Sequence, residues 1–438
     1  MNTMLPRLAA VVLFACVAVP EAPALTLSEQ TRALARQEFR KSARRPCIPA
    51  QPCFKVRNTY PKTATPETPA WRAIDFRREP ERYLEAVLAY VVEGNVEADW
   101  VLSRNRKRGW YHAAWMHPMR EPVRGLTFER GSRLHELSGQ QTRRTNNWAI
   151  GFYNRTGATA FARVWRDRSE PATANFAFPE GTVSAKLLFT DATDEEAPYL
   201  KGNNLVWHAD IHGNGELAAL RLLQVDVAVK HEAGPTFNGW VFGTFHFDGR
   251  RGHADYWRNL APVGLEWGTS PAFTHADFTA GRRPDQGWIS PAAEAQFATR
   301  APDGKLGYLG RMNGPVDDPR SSCLACHGRA MDMRGDPEPP LFPPLAASRI
   351  RQVTVAPNTT YERDMSAGPV DEADVARFFR NLAPGESWDG THPTLDFSLQ
   401  LMKGTQLWQA WLKTQLARPQ ERALAVAAPA RDGASRGD

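Results

Sequence analysis

Cys323-Leu324-Ala325-Cys326-His327 sets two thiols, separated by two residues, directly ahead of an imidazole. This is the spacing to which c-type haem is covalently attached. The chemistry explains the pattern: the two sulfurs add to the two vinyl groups on one side of a porphyrin, and the adjacent histidine then lies under the iron as proximal ligand. Two other readings compete. A structural zinc site needs four ligands, and the chain has no second Cys-x-x-Cys. A redox dithiol of the thioredoxin kind would follow a strand and open a helix in a βαβ unit, whereas Pro315, Asp317, Asp318 and Pro319 precede this motif. One covalent haem per chain is therefore the expectation, with Cys323, Cys326 and His327 as its attachment and ligand residues.

The N-terminus agrees with that chemistry. Arg7 supplies a basic n-region, Leu8 to Val19 an apolar core and Ala22-Pro23-Ala24 a small-residue cleavage site, so residues 1–24 read as a secretory signal. The apolar run is too short for a membrane-spanning helix. Leu13-Phe14-Ala15-Cys16 also resembles a lipoprotein cleavage box, and a lipid anchor at Cys16 is the weaker of the two readings. Cleavage after residue 24 leaves Cys47, Cys53, Cys323 and Cys326 of the five cysteines. In the oxidising periplasm, the expected location, Cys47 and Cys53 close a short loop as a disulfide.

At 438 residues the chain can bury one large core or two to three smaller ones. The net charge of +6 is mild and its basic residues are dispersed, which points away from nucleic acid. Five regions follow: the signal peptide at 1–24, an N-terminal α+β region at 25–140, a sheet-rich domain with the Cys-x-x-Cys-His motif at 141–335, a Pro-rich then helical region at 336–418, and a disordered tail at 419–438. Thr26 and Glu29 make a capping-box pattern for a helix reaching about Lys41, stopped by Pro46, Pro49 and Pro52. Tyr83, Leu84, Val87, Leu88 and Val91 recur at helical spacing, with Gly94 as a stop. Segments 148–153, 181–189, 220–230 and 239–247 read as strands of one antiparallel sheet, with Val225, Val227 and Val229 alternating with Gln224, Asp226 and Ala228. Val375, Phe378, Phe379 and Leu382 mark one late helix, and Leu407, Trp408, Trp411 and Leu412 another. The fold class expected is α+β, an antiparallel sheet-rich monohaem domain with helical extensions at both ends.

Taken together, several short pieces resemble the cytochrome c′-β family, which includes the lysine-cross-linked, hydroxylamine-oxidising cytochromes. They are Phe152-Tyr153-Asn154 before Ala160-Phe161, Phe178-Pro179-Glu180-Gly181-Thr182-Val183 with Lys186, Val229-Lys230, Gly239-Trp240-Val241-Phe242-Gly243, Asp248-Gly249 and the haem motif, in the family's order over about 149–332. The resemblance implies a sheet-rich monohaem fold with His327 proximal and a sixth position often left open. Nitric oxide or a small nitrogenous compound would then be the ligand, and the chain a haem oxidoreductase if the iron turns that ligand over. Lys186 is the residue nominated for a cross-link to the porphyrin, against the plainer reading of an exposed strand lysine. Long extensions at both ends and a longer stretch between Phe189 and Leu220 depart from the family pattern.

A class I-like electron-transfer cytochrome is the alternative, with Met365 as axial ligand downstream of the motif and a periplasmic redox partner. It lacks the helix that should lead into the first cysteine, since Gly314, Pro315 and Pro319 interrupt that stretch. Met402 is a weaker candidate, and Met331 and Met333 stand too near His327 to reach the opposite face. A module that uses haem only to hold or sense is a third class. His208 and His212 read as surface histidines, His246 as a structural strand residue, and His112 and His117, near Met116 and Met119, have no spacing argument for iron.

Overall fold

The computed structural model describes residues 27–41, 46–116, 120–232, 236–298, 306–333, 335–337, 339, 350–356, 359–364 and 372–427. The expected signal peptide, Thr26 of the expected capping box, His117, Met119, Met365 and residues 428–438 lie outside them, whereas 419–427 of the expected disordered tail continue the last helix. In chain order come α1 (Leu27–Lys41), α2 (Pro80–Val92), β1 (Trp110–Tyr111), β2 (Thr127–Ser132), β3 (Thr145–Asn154), α3 (Arg155–Val164), β4 (Val183–Thr190), β5 (Val206–Ala209), β6 (Ala218–Lys230), β7 (Trp240–Phe247) and β8 (Leu260–Glu266). There follow α4 (His275–Thr279), β9 (Gly287–Ile289), α5 (Pro291–Ala298), α6 (Cys323–His327), β10 (Ile350–Ala356), β11 (Thr359–Asp364), α7 (Glu372–Phe378) and α8 (Leu399–Ala427).

Nine strands form one antiparallel sheet in the order β1-β3-β4-β6-β7-β8-β9, with β2 on β3 and β5 on β6. The fold is α+β, and the sheet draws strands from both sides of residue 140. The four segments read as strands are β3, β4, β6 and β7, its central run. β10 and β11 make a separate hairpin in the stretch read only as Pro-rich then helical; β-branched Ile350, Val353, Thr354, Val355, Thr359 and Thr360 favour strand there.

The two faces of the sheet have different work. Val183, Ala185 and Leu187 of β4, Val225, Val227 and Val229 of β6 and Val241 and Phe245 of β7 join one core. That face is covered by α2, whose Pro80 sits at N1, whose Glu81 favours the helix N-terminus, and whose Tyr83, Leu84, Val87, Leu88 and Val91 are buried. The approach is close enough that a Cβ at Gly243 would collide with Leu84. Gly94 follows α2 at φ 74°, a left-handed turn that glycine takes without strain.

The opposite face carries the second core, built from Tyr153, Ala228 and Phe242 of the sheet with residues of α1, α3, α6 and α8. Aromatic contacts tie these helices together: the Phe39 ring lies 5.3 Å from that of Trp408, and Trp115 4.8 Å from Trp408. Trp411 donates to Glu38 at 3.2 Å. At the start of the chain the strap from residue 46 carries the Cys47–Cys53 disulfide. No helix among the described residues is long and apolar enough to cross a membrane.

Candidate functional site

α6 is a single turn made of the motif itself. Ser322 is its N-cap, accepting from Ala325 N–H, and Gly328 ends it. Leu324 N–H donates to Glu266 Oε2 at 2.7 Å, so a carboxyl from the end of β8 holds the first turn. Burial pushes the Glu266 carboxyl up to about 8. Met312 Sδ and Asn313 Oδ1 lie 4.0 and 3.5 Å from Cys323 Sγ. Behind the turn, the Arg329 guanidinium is sandwiched between Phe378 and Trp388, 4.0 and 3.9 Å from the ring centroids.

Cys323 and Cys326 are unpaired thiols on the same turn. Burial raises both of their pKa values, that of Cys326 to about 12, so both are protonated at neutral pH. His327 is partly buried, and desolvation lowers its pKa to about 4, leaving a neutral imidazole. Its Nδ1 lies 2.8 Å from the Phe397 carbonyl oxygen. A carbonyl has no proton to give, so Nδ1 carries the hydrogen and Nε2 keeps its lone pair. Two free thiols and a neutral imidazole fixed through Nδ1 are the donor set that thioether attachment of haem and proximal ligation by Nε2 require.

The register shows what faces this turn. Directly opposed residues share a face of an antiparallel sheet, and Ser184, Ala228, Phe242 and Glu266 form one such row. The Phe242 ring is 4.7 Å from the His327 ring, and Glu266 holds Leu324, so α6 rests on this row. One pleat further along the same face runs Gly151, Lys186, Asp226, Thr244 and Gly264. Lys186 Nζ meets Asp226 Oδ2 at 3.1 Å. Thr244 Oγ1 and Gln224 Nε2 donate to Asp226 Oδ1 at 2.8 and 2.7 Å, and Gln224 also reaches Asp317 at 3.3 Å.

These charges bear on the motif. Lys186 acts on His327 and Cys326, Asp226 on Cys323, and Asp317 on all three. Asp226, Glu129 and Asp317 together hold the Lys186 ammonium well above the usual lysine range against its desolvation. Burial raises Asp226 and Glu129, and Lys186 opposes both rises. Lys186 and Asp226 are each about a quarter exposed, Cys323, Cys326 and His327 are likewise partly buried, and Glu129 is exposed. Lys186 is thus a partnered lysine facing the motif, which corrects the plainer reading of an exposed strand residue.

The remaining candidates fall elsewhere. His208 lies on strand β5 and His212 beyond it, both exposed. His246 is buried against Tyr199 and Phe297. His112 accepts from Arg57 N–H at 2.9 Å and pins the N-terminal strap. Met331, Met333 and Met402 are packed in the second core. Among the described residues no three His, Cys, Asp or Glu side chains gather to hold a metal ion. Asp226 and Glu266 were missed as neighbours of the motif; the alternation around Asp226 was the one signal in sequence. Compared with protein-family models, curated proteins and solved structures, the chain matches none of them.

Proposed function

We propose that this chain is an exported, periplasmic c-type cytochrome carrying one haem through Cys323 and Cys326, with His327 as proximal ligand, and that a small ligand such as nitric oxide or a nitrogenous compound is bound or transformed on its distal side. When bound, the haem would supply an iron for ligand binding and one-electron chemistry. The observation that carries this reading is the constellation around α6: two free thiols, a histidine fixed through Nδ1, and the Lys186–Asp226 pair on the same sheet face.

The charged cluster favours ligand handling over simple electron transfer. A carrier gains nothing from buried ionisable groups beside its iron, since they only add to the charge rearrangement that accompanies electron transfer. A ligand that changes its hydrogen-bonding or protonation needs such groups. Lys186, held as an ammonium, donates hydrogen bonds; Asp226, with its carboxyl raised by burial, is suited to hold or take a proton. The cytochrome c′-β resemblance supports the same choice, and turnover would call for a periplasmic redox partner.

Optical spectra of the purified, exported protein in both oxidation states test the reading. An open iron gives an at least partly high-spin ferrous spectrum and ready binding of carbon monoxide or nitric oxide. A low-spin spectrum with a far-red sulfur-to-iron band, lost in Met365→Ala, would make the chain an electron carrier instead.

A further inference from the structure

Segment 393–398 is laid along the exit of α6. Asp332 N–H donates to Pro393 O at 2.9 Å and Leu395 N–H to Ala330 O at 2.8 Å, after which the Phe397 carbonyl meets His327 Nδ1. To present that carbonyl the backbone takes φ 46° at Asp396 and 66° at Phe397, two successive left-handed residues with side chains. Such a conformation persists only where the surroundings over-determine it. Here they do. Lys230 Nζ lies 3.0 and 3.2 Å from the two Asp396 carboxylate oxygens, Trp240 Nε1 donates to the first at 2.9 Å and Phe178 N–H to the second at 2.8 Å. Lys230 and Asp396 are each 4% exposed, and Lys230 also donates to Asn238 O at 3.0 Å.

We infer that the buried Lys230–Asp396 pair is a positioning device for the proximal histidine: by clamping Asp396 it keeps the Phe397 carbonyl on His327 Nδ1 and so sets how strongly Nε2 donates to an iron. A buried ion pair is a poor device for stability alone, because an apolar pair of similar volume does as well or better. What an apolar pair lacks is a carboxylate to collect three donors beside a strained backbone. A firm Nδ1–H···O bond makes the imidazole more basic and orients it, the usual task of outer partners of a ligating histidine. The inference rests on His327 being the proximal ligand. Lys230 touches no reacting atom and is a positioning residue.

The double variant Lys230→Met/Asp396→Asn removes both charges and leaves no lone buried ion. Two measurements on the full chain read it: the iron–histidine stretching band of the ferrous haem protein, and the ¹⁵N shifts of His327 in histidine-labelled protein without haem. The expected result is a lower stretching frequency, a higher reduction potential, and a His327 that passes from one Nδ1–H tautomer to exchange between two. If band and tautomer match wild type while only the melting temperature falls, the pair is structural and the inference is overturned. Should the double variant not fold, Trp240→Phe removes one donor to Asp396 and keeps a ring; a smaller shift in the same direction supports the inference and none overturns it. Wild type that takes up no haem would sink the haem reading, and the His327 tautomers would then decide the positioning by themselves.

Discussion

Lys186 and Asp226 stand opposite one another on β4 and β6, joined at 3.1 Å on the sheet face that also carries the Cys-x-x-Cys-His turn. Each side chain is about a quarter exposed, so the pair is partly desolvated. Lys186→Met leaves Asp226 without its ion-pair partner and Glu129 without the cation that most opposes its rise. The carboxyl of Asp226 then rises further, and stability at neutral pH falls by about 2 kcal/mol, below the range for fully buried pairs. Urea denaturation measures the loss. Haem peptides from wild type should carry two cysteine thioethers and no lysine adduct; a peptide joined to the porphyrin through Lys186 would show instead that this lysine is a covalent partner.

Glu266 provides a test by pH. Its carboxyl titrates near 8 when folded and near 4.5 when free, because burial disfavours the anion. Between those values the folded chain holds a proton that the unfolded chain has lost, so stability falls as pH rises from about 4.5 to about 8 and levels off above. At about 1.4 kcal/mol for each pH unit the penalty reaches about 5 kcal/mol at most. Glu266→Gln keeps an acceptor for Leu324 N–H and cannot ionise. The variant should match wild type at pH 4 and exceed it at pH 8, as followed by denaturation across that range; equal pH slopes would show that this carboxyl does not govern them.

Cys47 and Cys53 close a loop of sequence separation 6. Loop entropy assigns so short a closure about 2 kcal/mol, against a whole-protein stability several times larger. Replacing both by serine should lower the urea midpoint and leave the fold and the spectrum of the site intact. Intact mass after alkylation without reductant should show no adduct at these positions.

Much of this was legible in sequence, but unevenly. The motif gave the thiols and the imidazole because covalent attachment demands a fixed local spacing. Segment boundaries gave β3, β4, β6 and β7 and alternation marked β6, yet a period of two says only that the faces differ. It does not say whether the polar face meets water or other protein, and Gln224 and Asp226 lie on the face that carries the motif. Helical spacing found α2 because its partner surface is a broad apolar sheet. Short β1, β5 and β9 offer too few residues for a period to register. The Phe397 carbonyl was beyond reach altogether: a backbone oxygen seventy residues from His327 leaves no mark in side-chain chemistry. The same holds for Glu266, whose partner is a backbone N–H.

Covalent haem is tested most directly by acid–acetone extraction of the full-length protein made with export and haem-attachment machinery. With Cys323 and Cys326 both engaged, the haem should stay with the protein fraction, and the mass should exceed that of the processed polypeptide by one haem. Haem should become extractable when both cysteines are replaced by serine, while His327→Ala changes the spectrum and keeps the thioethers. Release of all haem from the wild-type chain into the organic phase, or a wild-type mass equal to the bare polypeptide, would contradict it.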